Sequence, residues 1–306
     1  MIILSVIWLG SGELCNAASR HFPAVFKISR FIAYTPRHFS VVNGRVTPAT
    51  ATGIQSDLKR LRPHFDGLVT YASVNGVEKT PEIAAQLGFR AVIMGIWDPA
   101  SEAELQNVIQ MVSRYPKIIA AVIVGNEGIY ARRYQAGDVE KTIQKIKTRY
   151  PDLPVSTSEP FFLYLKTDYV KFFSSNDFLA PNVHPVFEKW FKPENPVQGV
   201  EMVIQIAEQL KSGYGKPILI KETGMPSGPE SQGYSPIRQN QFWTALFQRI
   251  PAAPNLSVVC FEAFDAPWKP GVMAETFPGD HSSEAFWGFF SSDGKPKPVV
   301  MKLKIR

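Results

Sequence analysis

Eight short apolar runs punctuate the chain, at 31–34, 67–71, 91–96, 118–124, 155–158, 178–183, 217–220 and 257–264. They lack the in/out alternation of a half-solvated sheet, so each reads as a strand covered on both faces. Between most of them the period becomes helical. Glu102 to Val112 and Gly199 to Leu210 both repeat apolar residues at intervals of three and four. Strand then helix, repeated along the chain, predicts an α/β protein with parallel strands. A count near eight favours a single TIM-type (β/α)8 barrel over an open doubly wound sheet.

A dinucleotide fold would need Gly-x-Gly-x-x-Gly soon after the first strand, where the chain reads Ala33-Tyr34-Thr35-Pro36-Arg37-His38. A Walker-type loop is also missing. With 306 residues, 45% apolar and 20% charged, the chain can bury a large core without disulfide or metal. No linker-like tract divides it, so one catalytic domain is expected over 20–306. Residues 1–19 read as a signal peptide: Met1 to Gly10 is almost wholly apolar, and Cys15-Asn16-Ala17-Ala18 offers a cleavage point. Export to the periplasm or medium is expected, with the apolar segment as an alternative membrane anchor, although it is too short to span a bilayer comfortably.

Only Cys15 and Cys260 are present, and Cys15 falls in the leader, so the mature chain has no internal disulfide to form. Cys260, inside an apolar run, reads as a small hydrophobe. His21, His38, His64, His184 and His281 are scattered without zinc-site spacing, so neither metal nor cofactor is expected. The net charge of +6 is spread over amphipathic faces such as Lys141, Lys145 and Lys147, which gives no concentrated nucleic-acid surface. A monomer is expected.

Chemistry in such a barrel lies at the carboxyl ends of the strands. The fourth run stops at Gly125-Asn126-Glu127 and the seventh at Lys221-Glu222, so two carboxylates project at one rim. Glycosidic bonds need this pair: one carboxylic acid protonates the leaving oxygen, and the other attacks the anomeric carbon or activates water. Carboxyl groups about 5–5.5 Å apart mean retention, and about 6.5–9.5 Å means inversion. The blander alternatives are a helix-start carboxylate for Glu127 and an ion pair with Lys221 or Lys269 for Glu222. The Asn126 amide suits a sugar 2-hydroxyl. Tyr34, Tyr71, Glu159 and His184 end runs one, two, five and six and are candidate sugar ligands. Glu262, Asp265, Lys269 and Glu284 supply further hydroxyl partners, or else a rim salt-bridge network. Among Trp97, Trp190, Trp268 and Trp287, the platforms expected to stack on pyranose faces are Trp190 and Trp268, whereas Trp243 sits in an amphipathic run and reads as core.

Val124 to Glu127 and Lys221 to Ser227 resemble the two signatures of glycoside hydrolase family 17. Phe261 to Lys269 resembles its strand-eight segment in the bacterial and fungal branch, and Ser283 to Phe290 its closing element. The resemblance covers about 31–298. It implies a retaining, endo-type β-1,3-glucanase working through a covalent glucosyl-enzyme, with Glu127 as acid/base and Glu222 as nucleophile. The rival is a glucanosyltransferase using the same pair, and a barrel that binds β-glucan without catalysis is a third reading. Where the family commonly carries an acidic residue this chain has Ala266, so Lys269 is expected to lack a carboxylate neighbour. The small subdomain of plant relatives is not evident, which suggests an open cleft.

Overall fold

The computed structural model describes residues 30–253 and 255–301. The expected leader lies outside the described residues. In chain order the strands are β1 (Phe31–Ala33), β2 (Ser40–Val42), β3 (Arg45–Thr47), β4 (Gly67–Val69), β5 (Ala91–Ile96), β6 (Ile119–Asn126), β7 (Val155–Ser158), β8 (Ile218–Ile220) and β9 (Leu256–Val258). The helices are α1 (Ala51–Leu61), α2 (Thr80–Gln86), α3 (Glu102–Arg114), α4 (Ala136–Arg149), α5 (Phe161–Tyr164), α6 (Thr167–Ser174), α7 (Pro196–Tyr214), α8 (Pro236–Arg249), α9 (Lys269–Thr276) and α10 (Pro298–Met301). Several start on side-chain caps that take up free N–H groups: Thr50 accepts from Gly53, Ser101 from Glu104, and Ser235 from Arg238 ahead of Pro236.

The molecule is α/β with parallel strands. β1, β4, β5, β6 and β7 form one parallel sheet in that order, and β8 pairs in parallel with β9. Backbone contacts continue the pairing from both edges. Ala33 N donates to Cys260 O and Cys260 N to Phe31 O, each at 2.9 Å. On the other side Asn182 bridges Pro160 and Glu222, and Leu179 bridges Ile218. The run at 178–183 therefore contributes bridges instead of a regular strand. Pro181 in its centre has no N–H to give a ladder.

Alternate strand positions separate into two apolar sets, which explains why no alternation is visible in the sequence. Phe31, Ala33, Val69, Ile93, Ile123, Leu219 and Val259 pack together on one face. Ile32, Leu68, Val92, Val122, Ile220 and Cys260 pack with the helices on the other. Cys260 is fully buried, and burial pushes its thiol up to about 12, in keeping with a hydrophobe. Trp243 is core, as its amphipathic run implies. The antiparallel hairpin β2–β3 was not among the expected elements. Its turn, Asn43-Gly44, has φ of 50° and 69°, the paired left-handed conformation that tight hairpins favour.

The segment after β9 does not leave the mouth simply open. Helix α9 has no buried residue. Trp268 meets Phe39 edge-on at 5.8 Å, Phe277 stacks on Tyr130 at 5.8 Å and 18°, and Gln232 donates to Asp280 at 2.7 Å. One segment thus touches the loops that follow β1, β6 and β8. Among the described residues, no helix is long and apolar enough to cross a membrane.

Candidate active site

Strand β6 ends in an uncommon backbone. Gly125 has φ of 81° and Glu127 of 52°. A Cβ at Gly125 would lie 2.3 Å from the Tyr134 hydroxyl, so both the space and the left-handed turn call for glycine. Glu127 has no such freedom and is held by its surroundings. Its N–H donates to Ser158 O on β7 at 2.9 Å, and its carbonyl accepts from Ala131 N. The next residues are clamped as well: Gly128 N donates to the Tyr134 hydroxyl, and Ile129 N and Tyr130 N donate to the two oxygens of Glu159 at 2.9 and 3.2 Å. A strained residue persists only where neighbours over-determine it, and here they aim its carboxyl at the cleft.

Glu222 follows β8 and is pinned by Val183 N, which donates to its carbonyl at 2.8 Å. Its carboxylate receives Lys221 Nζ at 2.8 Å on Oε1 and has His184 Nε2 at 3.3 Å from Oε2. Lys221 also donates to Asn126 Oδ1 at 2.7 Å. The Asn182 amide donates to that same oxygen at 3.1 Å and to Glu127 Oε1 at 2.8 Å, while Ser158 Oγ donates to Asn182 Oδ1 at 2.9 Å. A single polar network therefore links both glutamates. One oxygen of each and a His184 nitrogen lie within 4.8 Å of one another. That spacing could also hold a cation, but Lys221 and Asn182 already engage one oxygen of each carboxylate.

The two carboxyls are driven apart electrostatically. Loss of hydration and the Glu222 charge raise the pKa of Glu127, against the weaker pull of His184 and Asn182. Burial also opposes ionisation of Glu222, but Lys221 and His184 outweigh it and hold that carboxyl well below the usual carboxylate range. The two carboxyls are thus shifted in opposite directions, Glu127 towards keeping its proton and Glu222 towards losing it.

Against this geometry, the BtgE/BtgC glycoside hydrolase domain family matches residues 32–288. The chain belongs to that family. With it stands the family 17 assignment read from the four motifs. The chain is similar to a glucan 1,3-beta-glucosidase of Arthroderma benhamiae, at 23% identity over 79% of this chain and 82% of that protein. It is 25% identical to glucan 1,3-beta-glucosidase BGL2 of Candida albicans, over 84% and 88% of the two chains. Among solved structures, the family 17 beta-1,3-glucanosyltransferase of Rhizomucor miehei superposes with a TM-score of 0.64 at 21% identity, covering 90% of this chain and 97% of that one. An endo-laminarinase from Formosa gives 0.68 at 18%, covering 90% and 86%.

Within this glycoside hydrolase, several expected site residues surround the glutamate pair. The Tyr71 hydroxyl is buried without a hydrogen-bond partner, under Lys221 Nζ at 4.1 Å from its ring centre. Burial first, then the charges of Glu222 and Glu262, push its pKa far up, so it remains a neutral donor. Trp287 is wholly buried and packs edge-on against His184 and Phe261, each at 5.2 Å, so it is a floor and not an exposed platform.

Other candidates do different work. Tyr34 shares the helix-side face of β1 with Ile32, and its hydroxyl donates to Asp57 on α1 at 3.2 Å, beside Arg37. It points away from the glutamates because it sits one residue out of register with Ala33. Glu159 has both oxygens taken by the loop after Glu127 and is fully buried, so it braces that loop instead of meeting sugar. Asp265 accepts from Lys297 at 2.5 Å and from Gly288 N at 3.0 Å. Lys269 does not lack a carboxylate: it donates to Glu262 Oε1 at 2.5 Å, with the buried Glu284 carboxyl close enough to act on its charge. Trp268 is half-buried against Phe39, and Trp190 is 45% exposed and lines a hollow that includes neither glutamate. Two residues were missed. Asn182 stands two before His184 at the end of the same run, a spacing that could have signalled it. Phe187 is 60% exposed at 5.5 Å from His184.

Proposed function

We propose that this protein is a retaining enzyme of β-1,3-glucan, with Glu222 as nucleophile and Glu127 as acid/base. The observation that carries the reading is that one oxygen of Glu127 and one of Glu222 lie within 4.8 Å of each other, with the pKa of the first raised and that of the second lowered. Inverting chemistry needs about 6.5 Å or more for a water between the groups, so the shorter spacing favours direct attack. Glu222 attacks the anomeric carbon as Glu127 gives its proton to the departing glycosidic oxygen. Glu127, now ionised, takes a proton from the incoming hydroxyl, whose oxygen displaces Glu222 and restores both groups. Lys221 and His184 keep the nucleophile charged, and the role proposed for the Asn126 amide is to hold the sugar 2-hydroxyl.

The substrate class rests on relatives named glucan 1,3-beta-glucosidase, beta-1,3-glucanosyltransferase and endo-laminarinase. The exposed Phe187 beside His184 favours a second reading, in which a glucan hydroxyl stacked there outcompetes water and the product is a longer glucan. The fold of this reading is a closed (β/α)8 barrel over 20–306. It is supported by the backbone bridges that run from β7 through 178–183 to β8, and from β9 back to β1. Export of the catalytic domain follows from the apolar start of the sequence.

Incubation with laminariheptaose tests the reading. Products only shorter than the donor indicate hydrolysis, longer ones indicate transfer, and an unchanged heptaose overturns the proposal. Replacing Glu222 by Ala should nearly abolish turnover, and added azide should return a glycosyl azide of inverted configuration. Full activity in that variant would remove Glu222 from its role.

A further inference from the structure

We propose that the hollow beside Trp190 is a second glucan-binding site, holding β-1,3-linked glucosyl residues outside the catalytic network. This rests on the β-glucan reading above. The hollow measures about 440 Å³, and none of Glu127, Glu222, Asn126 or His184 lines it. One wall is helix α7, whose Gln198, Glu201, Met202 and Gln205 stand at i, i+3, i+4 and i+7 and so form one stripe. A stripe at that spacing normally carries apolar residues into a core. Here it carries two amides, a carboxylate and one apolar residue, and it faces open space.

The opposite wall is aromatic. The Trp190 indole is braced edge-on by Phe191 at 6.2 Å and 65°, and Phe191 is itself buried. The indole is 45% exposed, which leaves a ring face open to a ligand. Phe161 adds a second ring. The lining combines apolar surfaces with amide donors and acceptors and with the carboxylates Glu188 and Glu201, of which Glu201 is paired with Arg249. That is the complement of a pyranose, with apolar C–H faces and a rim of hydroxyls. No lysine or arginine lines the hollow, and the Glu188 carboxylate there disfavours phosphates and nucleic acid.

The hollow is also tied to the cleft. Phe161 N donates at 2.9 Å to the carbonyl of Asn182, whose side chain holds Glu127. Trp190 lies six residues after His184 on one loop, with the exposed Phe187 midway. Three residues span at most about 10 Å. The chain itself thus bounds the separation between cleft and hollow, and a glucan seated on the glutamates reaches Trp190 more readily the longer it is.

The test is calorimetric titration of laminaritriose and laminariheptaose into the full chain carrying Glu222→Gln, with and without Trp190→Ala. Far-UV circular dichroism monitors folding. The heptaose should bind more tightly than the triose, and Trp190→Ala should cut that ratio about tenfold, equivalent to about 1.4 kcal/mol. Trp190→Phe should restore most of it. If Trp190→Ala leaves the ratio unchanged, or weakens both sugars equally, the second site is overturned. Failure of the wild-type protein to turn over either sugar would instead remove the catalytic reading, because the titration does not depend on turnover.

Discussion

Glu127 and Glu222 are one side chain in two environments, and the contrast is made by three neighbours. Lys221, wholly buried, has its own pKa lowered by burial against the pull of Glu222, and it supplies the charge that keeps Glu222 ionised. Lys221→Met should therefore let the Glu222 pKa rise. The acid limb of the kcat/KM profile should move to higher pH and the maximal rate should fall, and an unmoved limb would sink that role for the lysine. On the proposed roles the alkaline limb of the wild type should belong to Glu127: burial and the Glu222 charge raise its pKa, and activity should fall as pH climbs through it. The two glutamates were legible because each ends an apolar run, where a charged residue has no packing reason to be. Tyr34 was misjudged because ending a strand does not say which face a residue takes, and a shift of one position reverses it. The Lys269 partner was overlooked because Glu262 lies seven residues back, across a turn, while the expectation looked for a neighbour in the sequence.

At the level of elements, the loop after β6 is the part that most needs its supports. Glu159 braces it and sits almost without water, so burial raises its pKa to about 7 although Ile129 and Tyr130 donate to it. Its folded pKa is thus above its unfolded value near 4.3. The associated stability is fully present below that unfolded value and is lost as pH rises through 7, a change on the order of 3–4 kcal/mol. Glu159→Gln should flatten the dependence of the urea midpoint on pH between about 4.5 and 7. It should also slow turnover, because the two N–H groups go to different oxygens and the amide nitrogen that replaces one of them cannot accept. Equal slopes in the two proteins would contradict the assignment. The strand and helix order was readable because both faces of each strand are apolar and each helix keeps its own period. The apolar character of 178–183 predicts a strand, but Pro181 withholds a ladder donor and the run forms isolated bridges. The β2–β3 hairpin was underread because its Asn-Gly turn is a two-residue signal among exposed neighbours.

Across the whole molecule, the parallel order of the strands puts the loop after β9 four places from the loop after β6 in the pairing order. Nothing in a linear sequence says that these two loops meet, yet Phe277 lies on Tyr130, with Phe162 edge-on to Tyr130 at 5.3 Å. An aromatic pair of this kind contributes about 0.5–1.5 kcal/mol beyond its buried area. Phe277→Ala should therefore raise the rate on high-mass β-1,3-glucan relative to laminaritriose by a few-fold, read from reducing ends released by each. An unchanged ratio would show that the contact does not govern entry. If that contact governs entry, the mouth should work as an eyelet with a loose clasp. A free chain end can be threaded through it at any time, but the middle of a long polymer has to wait for two rings to part, and with so weak a fastening the wait is short.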